Sequence, residues 1–408
     1  MRLRVCICVS ALAFTPALFA QVRLRLADAV SEALSGHPEL STAAARVAVA
    51  EGLRHQAALK PNPRLILQSE NARFNGSPPF SYPRDADSYG ILAQTIETGG
   101  KRHRRVELAT ENVRRAELEQ QLHRRQITSR VTAAYWTAVG AVRNRDLLRQ
   151  EAANFESVVQ FHRDRVREGA SPEVDLLRVQ IERDRLAASA ATAAQDAERA
   201  RIALLREMGK TQFPPVEFAD ALDPVRPVPL LTMEDILERR PEMRISRTAI
   251  EQAHANLRLQ QANAKTDPDA QLGYKRTAGF NTLYAAIQLP LPIRNKNQGH
   301  IEAAAAEIKI AESSLAATEA LLRSDVEAAL TDYESRRRLL TETLQQMRDR
   351  ADEVYRIAEA AYREGGTDVL RLLDAGRTRI EAHVAYTRNL IELQQSAVSL
   401  AAAQGNLP

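Results

Sequence analysis

The chain has 408 residues, of which 44% are hydrophobic and 26% are charged, a composition typical of a folded protein and not of a disordered one. Aromatic residues make up only 5%, so a conventional all-β sandwich or barrel is not expected to fill the chain. The 56 basic and 52 acidic side chains are mixed along the sequence and leave a net charge of +4. A nucleic-acid-binding protein usually carries a basic block or stripe, so we expect no nucleic-acid partner.

Residues 1–20 have the pattern of a secretory signal peptide. Arg2 and Arg4 precede an uncharged apolar run that ends in small residues. We expect cleavage after Ala20, with cleavage after Ala17 as the alternative. No later run approaches the ~20 apolar residues that a membrane-spanning helix needs. An exported chain of this kind is free in the periplasm, secreted, or an outer-membrane β-barrel protein.

The sequence offers little chemistry for catalysis or metal binding. Cys6 and Cys8 are the only cysteines, and both lie in the predicted signal peptide, so no disulfide or thiolate site is expected. The eight histidines are scattered, and no two have the i, i+4 spacing of a helical metal site. We therefore predict no enzyme, no cofactor and no metal site. Metal export is not excluded, because a passive duct need not bind its cargo.

The first half of the chain predicts a helix, two strands and a very long helix. The opening helix covers 26–60, and the strands cover 64–74 and 87–97. Between the strands, 75–86 is rich in proline, glycine and serine and is predicted to be a loop. Proline is absent from 101–168, which predicts one long helix.

The second half repeats this order after a proline-rich stretch. Segments 167–171 and 363–367 align without a gap, and 37–40 resembles 240–243. About half of the chain is therefore a copy of the other half. The stretch that joins them is predicted to be an extended linker. The predicted units are a first repeat at 21–213 with a β-hairpin at 64–97, a linker at 214–229, and a second repeat at 230–408 with a β-hairpin at 269–290 (strands 269–277 and 282–289).

Each repeat is predicted to reverse sharply at the end of its long helix. Gly169 and Gly365 can adopt the left-handed conformation that ends a helix. Ser171 and Thr367 are predicted to cap the next helix, and Pro172 suits the first position of that helix. Because one helix ends and the next begins within a few residues, the sequence predicts an antiparallel helical hairpin with a tight, exposed tip.

The long helix of the second half carries a line of apolar residues with heptad spacing. The line shifts once by four residues, between Leu322 and Val326, which indicates a coiled coil with a stutter. Taken alone, such a line favours a long dimeric coiled coil. Its members are Ile301, Ile308, Leu315, Leu322, Val326, Tyr333, Leu340, Met347, Val354 and Ala361.

The strand pairs favour a membrane location. Each strand has about the 9–11 residues that cross a bilayer at a tilt. Four strands are too few for a closed membrane barrel, and open edges are not tolerated in lipid, so spanning strands would require oligomerisation. The alternative is two soluble β-hairpins that cap a helical rod.

The order of these elements, their duplication and three motifs together resemble the TolC-like outer-membrane efflux channels, in particular the CzcC/CusC-type heavy-metal branch. The resemblance covers nearly all of the mature chain. Its motifs are Leu26 to Leu40 with the His-Pro-Glu-Leu ending, Gln94 to Arg102 at the strand-to-helix junction, and Gln288 to Gly299 in the second half.

The resemblance implies a mainly α-helical fold with a small β part. It implies a homotrimer with a 12-stranded β-barrel in outer-membrane lipid and a 12-helix α-barrel in the periplasm. It also implies docking of the tips onto a periplasmic adaptor (a membrane fusion protein), which is coupled to an inner-membrane pump of the RND type. The tip residues that match the family motif are Gly169, Ala170, Ser171, Gly365, Gly366 and Thr367.

In the family, acidic residues just beyond the tips constrict the closed channel. Asp175 and Asp374 match such positions, whereas Arg371 stands where some members have another acid. The sequence therefore departs from an all-acidic, strongly cation-selective gate. An ion pair between Arg371 and either aspartate could instead hold the tip shut, or these could be ordinary exposed side chains.

The resemblance favours a passive exit duct of a tripartite efflux system, with heavy-metal cations among the candidate substrates. A duct for type I protein secretion or for drug efflux has the same fold and stays open as an alternative. The alternative from another class is a periplasmic adaptor or other coiled-coil structural protein. An adaptor normally has one helical hairpin between β-rich domains, whereas this sequence has two copies of a helix–strand–helix unit.

Overall fold

A computed structural model describes residues 22–222, 225 and 227–406, so the predicted signal peptide lies outside the described residues. The chain is mostly helical. The first half contains β1 (Val22–Leu24), α1 (Leu26–Gly36), α2 (Pro38–Ala57), β2 (Arg64–Glu70), α3 (Tyr82–Asp85), β3 (Asp87–Thr95), α4 (Lys101–Arg167) and α5 (Glu173–Glu207). The second half contains β4 (Val216–Phe218), α6 (Met233–Arg239), α7 (Pro241–Asn263), β5 (Asp269–Thr277), β6 (Phe280–Gln288), α8 (Gln298–Arg338), a π-helical turn (Leu339–Leu344), α9 (Gln345–Arg363) and α10 (Val369–Ala403).

The opening helix predicted at 26–60 is wrong as one element, because it breaks before a proline. His37 is extended (φ −68°, ψ 128°), and Pro38 is the first residue of α2. Arg240 before Pro241 has the same conformation (φ −72°, ψ 121°) in the second half. Proline disfavours the helical conformation in the residue before it but suits the start of a helix. The duplicated motif therefore marks a helix–helix joint in both halves.

The strands of both halves form one antiparallel sheet in the order β2–β3–β5–β6. The two halves meet where β3 pairs with β5, with Ile91 opposite Gly273. A Cβ at Gly273 would lie 2.3 Å from the backbone oxygen of Gly90. The strands β3 and β5 therefore approach too closely at this point for position 273 to carry a side chain. The observed β2 ends four residues before the predicted 64–74, and β6 begins two residues before the predicted 282–289.

One face of this sheet is apolar and exposed. Leu65, Leu92 and Leu272 lie opposite one another on three adjacent strands, and all three are exposed. An exposed apolar surface of this extent indicates contact with lipid or with another protein surface. Further exposed apolar side chains on the strands are Leu67, Tyr274, Leu283 and Ile287.

The proline-rich segment between the halves is packed against the rest of the chain. Its strand β4 pairs in parallel with β1, an interaction that the sequence did not predict. The Asp220 carboxylate accepts hydrogen bonds from the Leu26 N–H and the Tyr135 hydroxyl, both at 2.7 Å. Gln394 of α10 donates to the carbonyl of Leu222 at 2.9 Å. Asp220 therefore caps the start of α1 and ties this segment to α4.

Helix α4 is the longest element, with 67 residues, and is about 100 Å long at the usual rise per residue. It packs against α5 of its own hairpin, against α2 and α7, and against α10 of the second hairpin. Within the described part of the chain, no helix combines the length and the apolar character needed to cross a membrane. The main core lies around the middle of α4, where Ile127, Val131, Tyr135, Leu204, Leu390 and Leu400 are buried.

The π-helical turn Leu339–Leu344 changes the buried face of the second long helix. The heptad line predicts burial of Met347 and Val354, but these side chains are 38% and 51% exposed. The buried side chains lie instead one residue later, at Tyr355 and Tyr362. These two tyrosines pack against the first hairpin and α10. A π-helical turn adds one residue to the helical path, so every later side chain moves to the neighbouring position around the helix. Within one chain, Met347 and Val354 therefore lie outside the buried line, and their packing in a coiled coil stays a prediction.

Candidate functional site

Both helical hairpins reverse through the same backbone geometry. Gly169 and Gly365 have φ angles of +71° and +77°, in the left-handed region that glycine adopts without steric cost. The following residues, Ala170 and Gly366, each donate their N–H at 2.8 Å to the carbonyl five residues earlier. This hydrogen bond is the mark of the Schellman motif, which ends a helix and redirects the chain. All four residues are exposed, so the two tips are accessible surfaces.

The residues that cap the return helices differ from the prediction. In the first tip, Pro172 occupies the cap position of α5 and provides no side-chain hydrogen bond. In the second tip, the Asp368 carboxylate accepts the backbone N–H of Arg371 at 3.0 Å. The predicted caps Ser171 and Thr367 are therefore wrong by one residue, and Pro172 precedes the first helical position. In the second tip, the aspartate that follows Thr367 caps α10 because its carboxylate is a charged acceptor for the N-terminus of the helix. In the first tip, Pro172 stays outside α5 because its backbone is extended, at ψ 145°.

The three predicted gate residues lie in the first two turns of the return helices. Asp175 is partly buried, and its carboxylate lies 3.7 Å from the guanidinium of Arg178 on the same helix. Arg371 and Asp374 are exposed on α10. Within one chain, the described residues include no ion pair from Arg371 to Asp374 or Asp175. The structure therefore places the three residues near the tips without joining them.

A buried histidine–tyrosine contact joins the two hairpins just above the tips. The Tyr362 hydroxyl and His162 Nε2 are 3.0 Å apart, and the two rings stack with centroids 5.5 Å apart. His162 is completely buried, and its Nδ1 has no hydrogen-bond partner. Burial lowers the pKa of His162, and Arg165 lowers it further, whereas Asp175 opposes both. The cluster around this contact contains Phe155, Val159, Val179, Leu186, Val369 and Leu372.

Charged side chains add further links between the hairpins. Arg377 of α10 donates to the buried carboxylate of Glu182 on α5 at 2.9 Å. Arg379 pairs with Glu151 of α4, and its guanidinium lies 4.4 Å from the ring centroid of Tyr355. Sequence reasoning missed these contacts and the role of His162, since the partners lie about 200 positions apart in the chain.

The motif between β3 and α4 contacts the segment between α7 and β5 of the second half. Gly99 and Gly100 are both left-handed, with φ +66° and +72°, and they turn the chain into α4. The Lys101 ammonium, which is 10% exposed, donates to the Asp267 carboxylate at 2.6 Å and to the Lys265 carbonyl at 2.7 Å. We call this contact the junction pair. It ties the start of α4, in the first half, to the segment that leads into β5 of the second half.

No group of three or more histidine, cysteine, aspartate or glutamate side chains could hold a metal ion within the ranges that the structure describes. The exposed apolar sheet and the two accessible tips lie at opposite ends of the long helices. The tips are stabilised by contacts between the hairpins, and the sheet is joined to the helices by the junction pair.

Comparisons with known proteins agree with this geometry. The model of the family described as outer membrane efflux protein matches residues 29–210 and 232–406. The cobalt-zinc-cadmium resistance protein CzcC of Cupriavidus metallidurans is 26% identical over 381 residues, covering 92% of this chain and 89% of that protein.

Solved structures show that the fold is shared. A membrane protein of Pseudomonas aeruginosa superposes with a TM-score of 0.79 at 19% identity, covering 94% of this chain and 91% of that one. The channel CusC gives 0.79 at 17% identity, covering 94% and 92%. The open state of the Neisseria gonorrhoeae outer membrane channel MtrE gives 0.79 at 19% identity, covering 94% and 89%.

Proposed function

Because this chain belongs to the outer membrane efflux protein family, we propose that it is the passive exit duct of a tripartite efflux system. The protein is located in the outer membrane, and its helical part lies in the periplasm. The observation that carries the proposal is the continuity of one sheet with four long helices that end in two accessible tips. The chain provides the path and the gate, and the energy comes from its inner-membrane partner.

The open sheet supports a homotrimer. The strands β2 and β6 are at the edges of the sheet, and its apolar face is exposed. Unpaired strand edges are not tolerated in lipid, and four strands cannot close a membrane barrel. Three copies would supply twelve strands for a closed barrel and, from α4, α5, α8–α9 and α10, twelve long helices for a periplasmic tunnel.

The tips are proposed to dock onto a periplasmic adaptor that connects the duct to an RND-type pump. The supporting observation is that both tips are exposed and fixed by the same backbone motif. The proposed docking residues are Gly169, Ala170, Ser171, Gly365, Gly366 and Thr367, and the proposed gate residues are Asp175, Arg371 and Asp374.

Heavy-metal cations are the proposed cargo, because CzcC is named for resistance to cobalt, zinc and cadmium and is similar along almost its whole length. The duct would pass these ions without binding them tightly. Drug efflux and type I protein secretion use the same kind of duct and are the alternatives. The family assignment argues against a soluble adaptor or coiled-coil structural protein.

A test of the proposed cargo uses a Gram-negative host that carries the chain together with its own adaptor and pump. Removing this chain should lower tolerance to zinc, cobalt or cadmium and raise the metal content of the cells. Loss of tolerance to drugs with unchanged tolerance to all three metals would overturn the metal cargo. Unchanged tolerance to every compound would contradict the efflux duct itself.

A further inference from the structure

The exposed apolar face of the sheet is bordered by one row of polar side chains. The pairing of the strands places Ser69 opposite Ser88, Ser88 opposite Arg276, and Arg276 opposite Asn281. The row therefore crosses all four strands on one face, and Arg276 is its charged member. Side chains on one face of a strand recur every second residue. Two positions nearer the helices, the same face carries Leu67, Gly90, Tyr274 and Leu283.

The opposite face of the sheet has a different character. Lys275 precedes Arg276 on β5, so its side chain points to the other side of the sheet. There its ammonium lies 5.1 Å from the ring centroid of Tyr89. On the same side, the Tyr284 hydroxyl donates to the Gln271 side chain at 3.3 Å. The two neighbouring basic residues of β5 therefore serve a polar face and an apolar face, respectively.

The polar row lies at the end of the sheet that is farthest from the helices. The connections 71–86 and 278–279 follow it directly, whereas the helices join the other ends of the strands. Asn281 is six residues from Ile287, or about 20 Å along β6. Because the helical part lies in the periplasm, the row borders the apolar face on the outer side of the outer membrane.

The Arg276 guanidinium has no partner among the residues that the structure describes. Its Nε is buried and makes no hydrogen bond. By contrast, Arg73 and Arg84 in the neighbouring connection both pair with Asp85. An unsatisfied buried donor is costly, and a guanidinium fits the oxygens of a phosphate group in a bidentate manner. Arg276 is therefore suited to bind an anionic group from outside the chain.

Hydroxyl groups lie on the strand next to Arg276. The hydroxyls of Ser88 and Tyr82 are 3.3 Å apart, and Ser88 is the residue opposite Arg276 on β3. On the other side, the Tyr274 hydroxyl donates to the Asn281 side chain. Tyrosines are common at the border between the apolar and polar layers of a membrane, because one end of the side chain is apolar and the other is polar.

We propose that Arg276 binds a phosphate of lipid A, the lipid part of lipopolysaccharide, in the outer leaflet of the membrane. This inference rests on the proposed trimeric duct, whose closed barrel would surround the apolar face with lipid. Lipid A carries phosphates directly above its acyl chains, and Arg276 lies directly above the apolar rows of the sheet. The acyl chains would contact these rows, and the Ser88 and Tyr82 hydroxyls would donate to the headgroup.

Native mass spectrometry of the detergent-purified protein titrated with lipid A tests this contact. Arg276→Gln should weaken binding about fivefold per site, which corresponds to the ~1 kcal/mol that one basic side chain contributes near an anionic membrane surface. Lipid A without its phosphates should bind wild type no more tightly than intact lipid A binds the variant. This comparison needs only wild-type protein, so it decides the matter even if Arg276→Gln does not fold.

The chain offers a matched control one residue away. Lys275→Gln removes the same charge from the same end of β5 but on the other face, and it should bind lipid A like wild type. Arg276→Lys keeps the charge and loses the planar fork of the guanidinium, so its loss of affinity should be smaller than that of Arg276→Gln.

Three results would overturn the proposed lipid contact. These are equal weakening by Lys275→Gln and Arg276→Gln, equal affinity of wild type for lipid A with and without phosphates, and equal affinity for lipid A and phosphatidylethanolamine. The last result would indicate a general phospholipid contact.

Conductance in a planar bilayer separates this inference from the function on which it rests. Arg276→Gln should conduct like wild type, because position 276 lies on the apolar face. A wild-type protein that forms no channels would contradict the duct, whereas a conducting wild type with any of the three results above would contradict only the lipid contact.

Discussion

At the scale of single residues, His162 makes the contact between hairpins sensitive to acid. Its ring is buried against Tyr362 and its pKa is lowered, so the folded protein holds it neutral. An unfolded histidine titrates near pH ~6.5. Its contribution to stability is therefore fully present above this pH and is lost as the pH falls toward the lowered pKa, because only the unfolded state binds the proton.

We predict that His162→Phe reduces the acid sensitivity of the protein. Between pH 7.5 and pH 5.5, the melting temperature of wild type should fall more than that of the variant, because phenylalanine has no proton to bind. Thermal melts followed by circular dichroism in detergent measure this difference. His55→Gln changes an exposed histidine and should behave like wild type. Equal acid sensitivity of wild type and His162→Phe would contradict the prediction.

The junction pair gives a second prediction at this scale. Lys101→Met removes the ammonium from a nearly buried ion pair and leaves the Asp267 carboxylate with fewer partners. A loss of about 1–3 kcal/mol in the free energy of unfolding is expected, as for a broken hydrogen bond to a charged group. Denaturant unfolding measures the loss.

The control for the junction pair is Arg115→Met, which breaks an exposed pair with Glu119 on the same helix. Exposed i, i+4 pairs contribute at most a few tenths of a kcal/mol. If the two variants lose the same stability, the junction pair does not fix the sheet to the helices as we describe.

At the scale of elements, the π-helical turn Leu339–Leu344 decides which side of α9 faces the rest of the protein. We predict that deleting the exposed Thr341 removes the one residue that this turn adds, returns the turn to an α-helix and leaves the facing of α9 unchanged. Tyr355 and Tyr362 would then keep their contacts with Arg379 and His162, and the tip should remain as resistant to limited proteolysis as in wild type.

The contrasting variant keeps Thr341 and adds one alanine after Gln346, which moves every later residue by one position around the helix. Tyr355 and Tyr362 should then leave Arg379 and His162, and the tip should become more sensitive to limited proteolysis. If the Thr341 deletion makes the tip sensitive, or the added alanine leaves it resistant, the turn does not set the packing of α9.

The π-helical turn also explains where prediction from sequence reached its limit. Met347 and Val354 continue one apolar heptad line, and Tyr355 and Tyr362 form a second line one residue later. Only contacts with Arg379 and His162 of other helices decide between the two lines. Similarly, the tip glycines were identifiable by their chemistry, but the choice between Thr367 and Asp368 as a cap depended on where α10 begins.

At the scale of the whole molecule, the duplicated sequence predicts two units of the same kind, and the resemblance predicts their fold. The structure adds how the units join: β3 pairs with β5, and α4 packs against α10. The proposed gate was less accessible to sequence reasoning. Among the described residues of one chain, Asp175, Arg371 and Asp374 are not joined to one another, so the roles proposed for them require the neighbouring copies of the proposed trimer.

The central claim is that three copies of this chain form one channel. Its most direct test is the mass of the detergent-purified protein, determined together with single-channel conductance in a planar bilayer. The account predicts a trimer that gives stable channels. A monomer or dimer that is extracted without detergent and forms no channels would contradict it.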